Sequence, residues 1–141
     1  MIQRIQSIWL FLAAACAFIA YTLTLFVGKL ADNTERIFLM GEKLLLVVML
    51  IGTGLLALVT IFLYKNRKLQ FRLCILGIFL SIGIIALEYF FVESFKKENL
   101  IVSGTYQLGA LLPIVMVVLF IFASRGLYRD EKLVKSVDRL R

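Results

Sequence analysis

The sequence predicts an all-α fold: an integral membrane four-helix bundle that ends in a short amphipathic cytoplasmic helix. Three observations carry this reading. The 141 residues are 62% hydrophobic and 18% charged, with a mean hydropathy of +0.96, whereas a soluble domain is about half apolar and about a quarter charged. The apolar excess is gathered into four blocks, about residues 7–28, 44–64, 73–95 and 106–124. At ~1.5 Å per helical residue each is long enough to cross a ~30 Å hydrocarbon core. Between the second and third blocks, residues 65–72 carry Lys65, Arg67, Lys68 and Arg72 and no acid, which holds two spans to one side of the membrane. The length fits one domain, a single four-span unit over residues 1–141 with a tail at 125–141.

The opening, residues 1–6, is polar and mildly basic through Arg4. The first block carries Trp9 near one end, where aromatic side chains gather at membrane interfaces. The string from Leu12 to Cys16 has the look of a lipoprotein signal, but the block continues to Gly28, past the point where a signal stops. Ala13, Ala14, Ala17 and Ala20 read instead as a small-residue face for close helix packing. In the connection 29–43, Asp32 and Glu35 have capping-box spacing and predict a short interfacial helix from Asn33.

The second block contains Gly52-Thr53-Gly54, read as a place where a neighbouring backbone comes close, because no phosphate-binding pattern surrounds it. Gly77 and Ser81 make a second small pair in the third block, which also holds Glu88, the one charged side chain well inside any block. In the fourth, Pro113 frees the carbonyl of Gly109 and predicts a kink. In the tail, Leu133, Val137 and Leu140 share a helical face. Glu131 and Lys135 form an i, i+4 pair, and acids precede bases as the helix dipole prefers. This predicts a cytoplasmic helix lying on the membrane or docked on a partner.

The net charge is +7. In a soluble chain this would raise nucleic acid as a partner. Here the cations flank apolar blocks, so the expected partner is a bilayer with anionic headgroups, and no nucleic acid. Arg4, the four cations of 65–72, and Arg125, Arg129, Lys132, Lys135, Arg139 and Arg141 fall on one side. Lys29, Arg36, Lys43, Lys96 and Lys97 fall on the other. The imbalance predicts an inner-membrane protein with both termini cytoplasmic. Histidine is absent, Cys16 and Cys74 are isolated within apolar blocks, and no CxxC occurs. No metal, cofactor or thiol-redox site is expected, and no nucleophile has a base beside it, so no enzyme is expected.

Counting depth from the block ends aligns Glu88 with Tyr21, Thr22, Thr53 and Pro113, with Gln107 slightly above. An intramembrane acid is a functional-site hypothesis by default. Three readings of this polar cluster stand side by side. Glu88 could couple protons or cations in a small transporter. It could be a neutral acid bonded to Tyr21 or Thr53, joining helices. It could reach outward to water or Lys43. A second candidate is a cytoplasmic face built from Gln3, Gln6 and residues 130–141 with Arg4, Lys65, Arg67, Lys68, Arg72, Arg129, Lys132, Lys135, Arg139 and Arg141. It reads either as a docking surface for another protein or as a solvated, lipid-touching surface.

The opening Met1-Ile2-Gln3-Arg4-Ile5-Gln6, the closing residues 129–141, the segment Gly109-Ala110-Leu111-Leu112-Pro113 and the Arg125-Gly126 pair resemble an uncharacterised Bacteroidota family of small four-helix membrane proteins, domain of unknown function 4293. The resemblance implies a four-helix inner-membrane protein and no assigned activity. The functional expectation is a non-enzymatic accessory, assembly or scaffold subunit of a larger membrane complex. The alternative is a small transporter or channel that uses Glu88.

Overall fold

The structure is a computed structural model that describes residues 3–32 and 34–138, with side chains over 5–32 and 34–130. Four helices carry the fold: α1 Gln3–Ala20, α2 Leu44–Phe62, α3 Arg67–Glu98 and α4 Leu108–Asp138. Each buries a stripe with alternating four- and three-residue steps. On α1 the stripe is Gln6, Leu10, Ala13, Ala17 and Ala20; on α2 it is Leu46, Leu50, Thr53, Ala57 and Thr60. On α3 it is Gln70, Cys74, Gly77, Ser81, Ile84 and Glu88; on α4 it is Gly109, Pro113, Met116, Phe120, Ala123, Leu127 and Asp130. A 3.5-residue repeat keeps one seam facing the neighbours when helices wind around each other with a left-handed twist.

The bundle is apolar outside and mixed inside. Leu44, Phe62 and Phe79 are among many large apolar side chains that are exposed, while Gln6, Thr53, Thr60, Gln70, Ser81, Glu88 and Asp130 are buried. Water would favour the reverse arrangement; lipid favours this one. Helices α2, α3 and α4 are long and apolar enough to cross a membrane, and α1 is shorter, apolar over Ile5–Ala20. The chain is a membrane protein. In the middle of the bundle the Phe120 ring lies on Gly77, where an added Cβ would stand 2.5 Å from the ring, so only glycine lets α3 and α4 close there.

The first apolar block departs from its predicted form. Its helix stops at Ala20, the chain turns over Tyr21 and Thr22, and the rest of the block becomes strand β1, Thr24–Lys29. The helix expected from Asn33 is absent. Asn33 itself lies outside the described residues, and Glu35 instead opens strand β2, Glu35–Leu39. Beyond the second outer connection runs β3, Ser103–Tyr106. The three strands form an antiparallel sheet ordered β2-β1-β3, with Phe26 opposite both Phe38 and Tyr106. A register shift between Thr24 and Phe26 turns both Leu25 and Phe26 into the core. A bundle of four helices thus carries a small sheet across one end.

Aromatic packing holds the sheet together and fixes it to α3. Phe38 stacks on Phe95 at 4.9 Å between ring centroids, and Phe26 meets Tyr106 edge-on at 5.4 Å. Lys96 lies over the Phe26 ring and donates to Glu93 at 2.8 Å. Helix α3 ends in a Schellman turn, in which the Ile101 amide donates to the Lys96 carbonyl and Leu100 takes φ 51°. The other end differs from expectation in two ways. Helix α3 starts within the basic stretch, at Arg67 after a cap by Asn66, so Arg67 and Lys68 sit where the helix dipole disfavours cations. Helix α4 includes Pro113 and continues without a break to Asp138, so the tail continues the fourth helix and is not a separate element.

Candidate functional site

Glu88 lies on the buried stripe of α3, one turn from Ile84 and one from Val92. Those two residues pack in the same apolar core as Leu25, Phe26 and Phe38 of the sheet and Leu46 and Leu50 of α2. The sheet therefore closes the bundle end above Glu88. The side chain is 4% exposed, and its Oε1 has no hydrogen-bond partner among the described residues. A buried polar atom left unpaired costs about 1–3 kcal/mol, and more when it is charged.

The structure does not bond the other members of the expected cluster to Glu88. Thr53 is buried, but its hydroxyl donates to the Met49 carbonyl one turn back at 2.7 Å, the usual way a helical threonine satisfies itself without water. The Thr22 hydroxyl donates to the Ile19 carbonyl at 2.9 Å, and the Tyr21 ring lies half-exposed against Gly41. Both follow from the helix ending at Ala20. Gln107 is exposed and its side-chain amide donates to the Thr105 hydroxyl at 3.3 Å, while its backbone N–H donates to the Leu25 carbonyl. Pro113 is buried in the α4 seam. Depth along the sequence aligned these residues; in the structure Thr53 and Pro113 stay on buried stripes, while Tyr21, Thr22 and Gln107 are exposed.

A second buried polar layer sits at the opposite end, and depth counting missed it. Gln6 Nε2 donates to Asp130 Oδ2 at 2.6 Å, with both side chains buried. Gly126 brings α1 and α4 together there, since a Cβ on it would stand 2.8 Å from Gln6 Cγ. Gln70 is buried nearby, and a small cavity lies among Gln6, Ser7, Tyr64, Arg67, Gln70, Leu127 and Asp130. Gln6 and Asp130 were expected on an open cytoplasmic face; they are enclosed and bonded to each other. The signal was present in the sequence, because both continue the four-three spacing of their helices: 6, 10, 13 on α1 and 123, 127, 130 on α4.

The remaining basic candidates divide in two. Lys65, Lys68, Arg72 and Arg129 are exposed and Arg67 is half-buried. The backbones of Arg4, Lys132 and Lys135 are helical, but their side chains, like Arg139 and Arg141 entirely, lie outside the described residues. The α2–α3 turn, the start of α1 and the Asp130 region of α4 share one end of the bundle.

Over residues 2–140 the sequence matches the family described as Domain of unknown function (DUF4293). The chain belongs to that family. No curated protein and no solved structure matches it. Within a DUF4293 chain the geometry thus offers two polar layers at opposite ends of the bundle, one paired and one not. The paired layer joins α1 to α4. The unpaired layer has the chemistry of a carboxyl that can hold or release a proton, or accept a hydrogen bond, when its surroundings change.

Proposed function

We propose that this protein is a non-enzymatic accessory, assembly or scaffold subunit of a larger complex in the bacterial cytoplasmic membrane. Both termini face the cytoplasm in this reading, which rests on the crowding of cations at the α2–α3 turn and the tail. One observation carries it: where α3 and α4 close in the middle of the bundle, the Phe120 ring occupies the space left by Gly77. A crossing closed this way supports a packed body that presents its ends rather than a conduit. The cytoplasmic end would dock a membrane-protein partner through Lys65, Lys68 and the α4 tail.

Purification in a mild detergent after crosslinking in native membranes tests this. Deleting residues 131–141 keeps the Gln6–Asp130 bond and removes only the tail. The expected result is a stoichiometric partner that is lost on deletion. Retention of every partner would refute docking through the tail. A second reading is favoured by Glu88 alone: an enclosed acid with an unpaired oxygen suits a proton- or cation-coupled transporter. Ion-driven uptake into vesicles that is lost in Glu88→Gln would favour it over the scaffold.

A further inference from the structure

A groove of about 600 Å³ runs between α1 and α4 at the end that carries the Gln6–Asp130 bond. Its walls change character along the helix axis. Towards the middle of the bundle it is lined by Trp9 and Phe122, whose rings meet at 5.4 Å, with Ile5 exposed beside them. Towards the end it is lined by Arg125 and Arg129, both exposed. Neither arginine makes an ion pair among the described residues. The one carboxylate in the wall, Asp130, is buried and accepts from Gln6, so the mouth keeps a net positive charge.

A second observation extends the groove. The exposed residues Leu111, Val115, Val118, Phe122, Arg125 and Arg129 of α4 follow one another in four-three steps, so they form one track on one helix face. Its first four members are apolar and its last two cationic. At ~1.5 Å per residue the apolar part is ~16 Å long, comparable with one leaflet of a ~30 Å hydrocarbon core.

We propose that this track is a discrete binding site for one anionic phospholipid, with its phosphate between Arg125 and Arg129 and an acyl chain along Phe122, Val118 and Val115. Two guanidinium forks one helical turn apart suit phosphate oxygens. The apolar track fixes the occupant as a lipid and not free phosphate. Trp9 marks the level where chain and headgroup meet, as aromatic side chains do at membrane interfaces. The site needs the chain to be in a bilayer and nothing of the partner reading.

Trp9 is the single tryptophan of the chain and reports on the groove directly. The protein is placed in phosphatidylcholine vesicles that contain a small fraction of either phosphatidylglycerol or phosphatidylcholine brominated on the acyl chain. The site predicts that brominated phosphatidylglycerol quenches Trp9 with an apparent affinity roughly ten-fold above that of its zwitterionic counterpart. In R125Q/R129Q the preference falls to roughly two-fold or less, while K65Q/K68Q, which removes the same charge at the same end, keeps it. Equal quenching by the two lipids in the unaltered protein would overturn the site without any variant having to fold. Equal loss in both double variants would also overturn it, leaving diffuse surface charge. Displacement of the lipid by glycerophosphate at matched concentration would show an anion site without the lipid track, and would overturn it too.

Discussion

The two ends of this bundle bury acids to nearly the same extent and treat them differently. Asp130 receives a hydrogen bond from Gln6, an amide at the far end of the chain, and the pair ties the first helix to the last. Glu88 is as enclosed beneath the sheet, yet Oε1 meets no donor. Burial alone therefore does not say what an intramembrane acid is for. A satisfied one is part of the packing; one with an orphaned oxygen costs stability where it stands.

That contrast can be broken experimentally, beginning with the largest effect. Gly77→Leu forces a side chain into the Phe120 ring between the two layers, and should lower stability by about 3 kcal/mol in thermal unfolding in micelles. Asp130→Ala strands the Gln6 amide and should cost about 2 kcal/mol by the same measurement. Replacing both partners, Gln6→Leu with Asp130→Leu, should recover most of this loss and end within about 1 kcal/mol of the original, because no polar group is then stranded. Leu100→Gly sharpens the picture at the sheet end. Leu100 occupies the left-handed position of the α3 Schellman turn, where glycine has no Cβ penalty, so the change should stabilise by up to about 1 kcal/mol.

The four helices were legible because apolar blocks and flanking cations are local signals. Their seams were legible in part: the alanines of α1 and the pair Gly77 and Ser81 were read as packing residues, and they are buried. The sheet was not read. Residues 24–29 continue the apolar run of α1, so hydrophobicity shows no boundary at Ala20. The strand pairs join residues far apart, Phe26 with Phe38 and with Tyr106. The Asp32-Asn33 pair between two runs rich in β-branched and aromatic residues was a turn signal, but the capping-box spacing of Asp32 and Glu35 suggested a helix instead. Of the polar cluster, the enclosure of Glu88 could be anticipated from its place in an apolar block. The exposure of Tyr21, Thr22 and Gln107 accompanies the helix end at Ala20 and the sheet, neither of which the apolar run announces. Asp130 was placed on an open face because it stands among charges; its position on the α4 seam outweighs that neighbourhood.

Thermal unfolding of Glu88→Leu beside Asp130→Ala, in the same micelle, tests the difference between the two layers most directly. An orphaned acid replaced by an apolar side chain of similar size should leave the midpoint unchanged or raise it, while the loss of Asp130 lowers it. If Glu88→Leu lowered the midpoint as far as Asp130→Ala, Glu88 would be holding the helices together, and the distinction drawn between the two ends would be wrong.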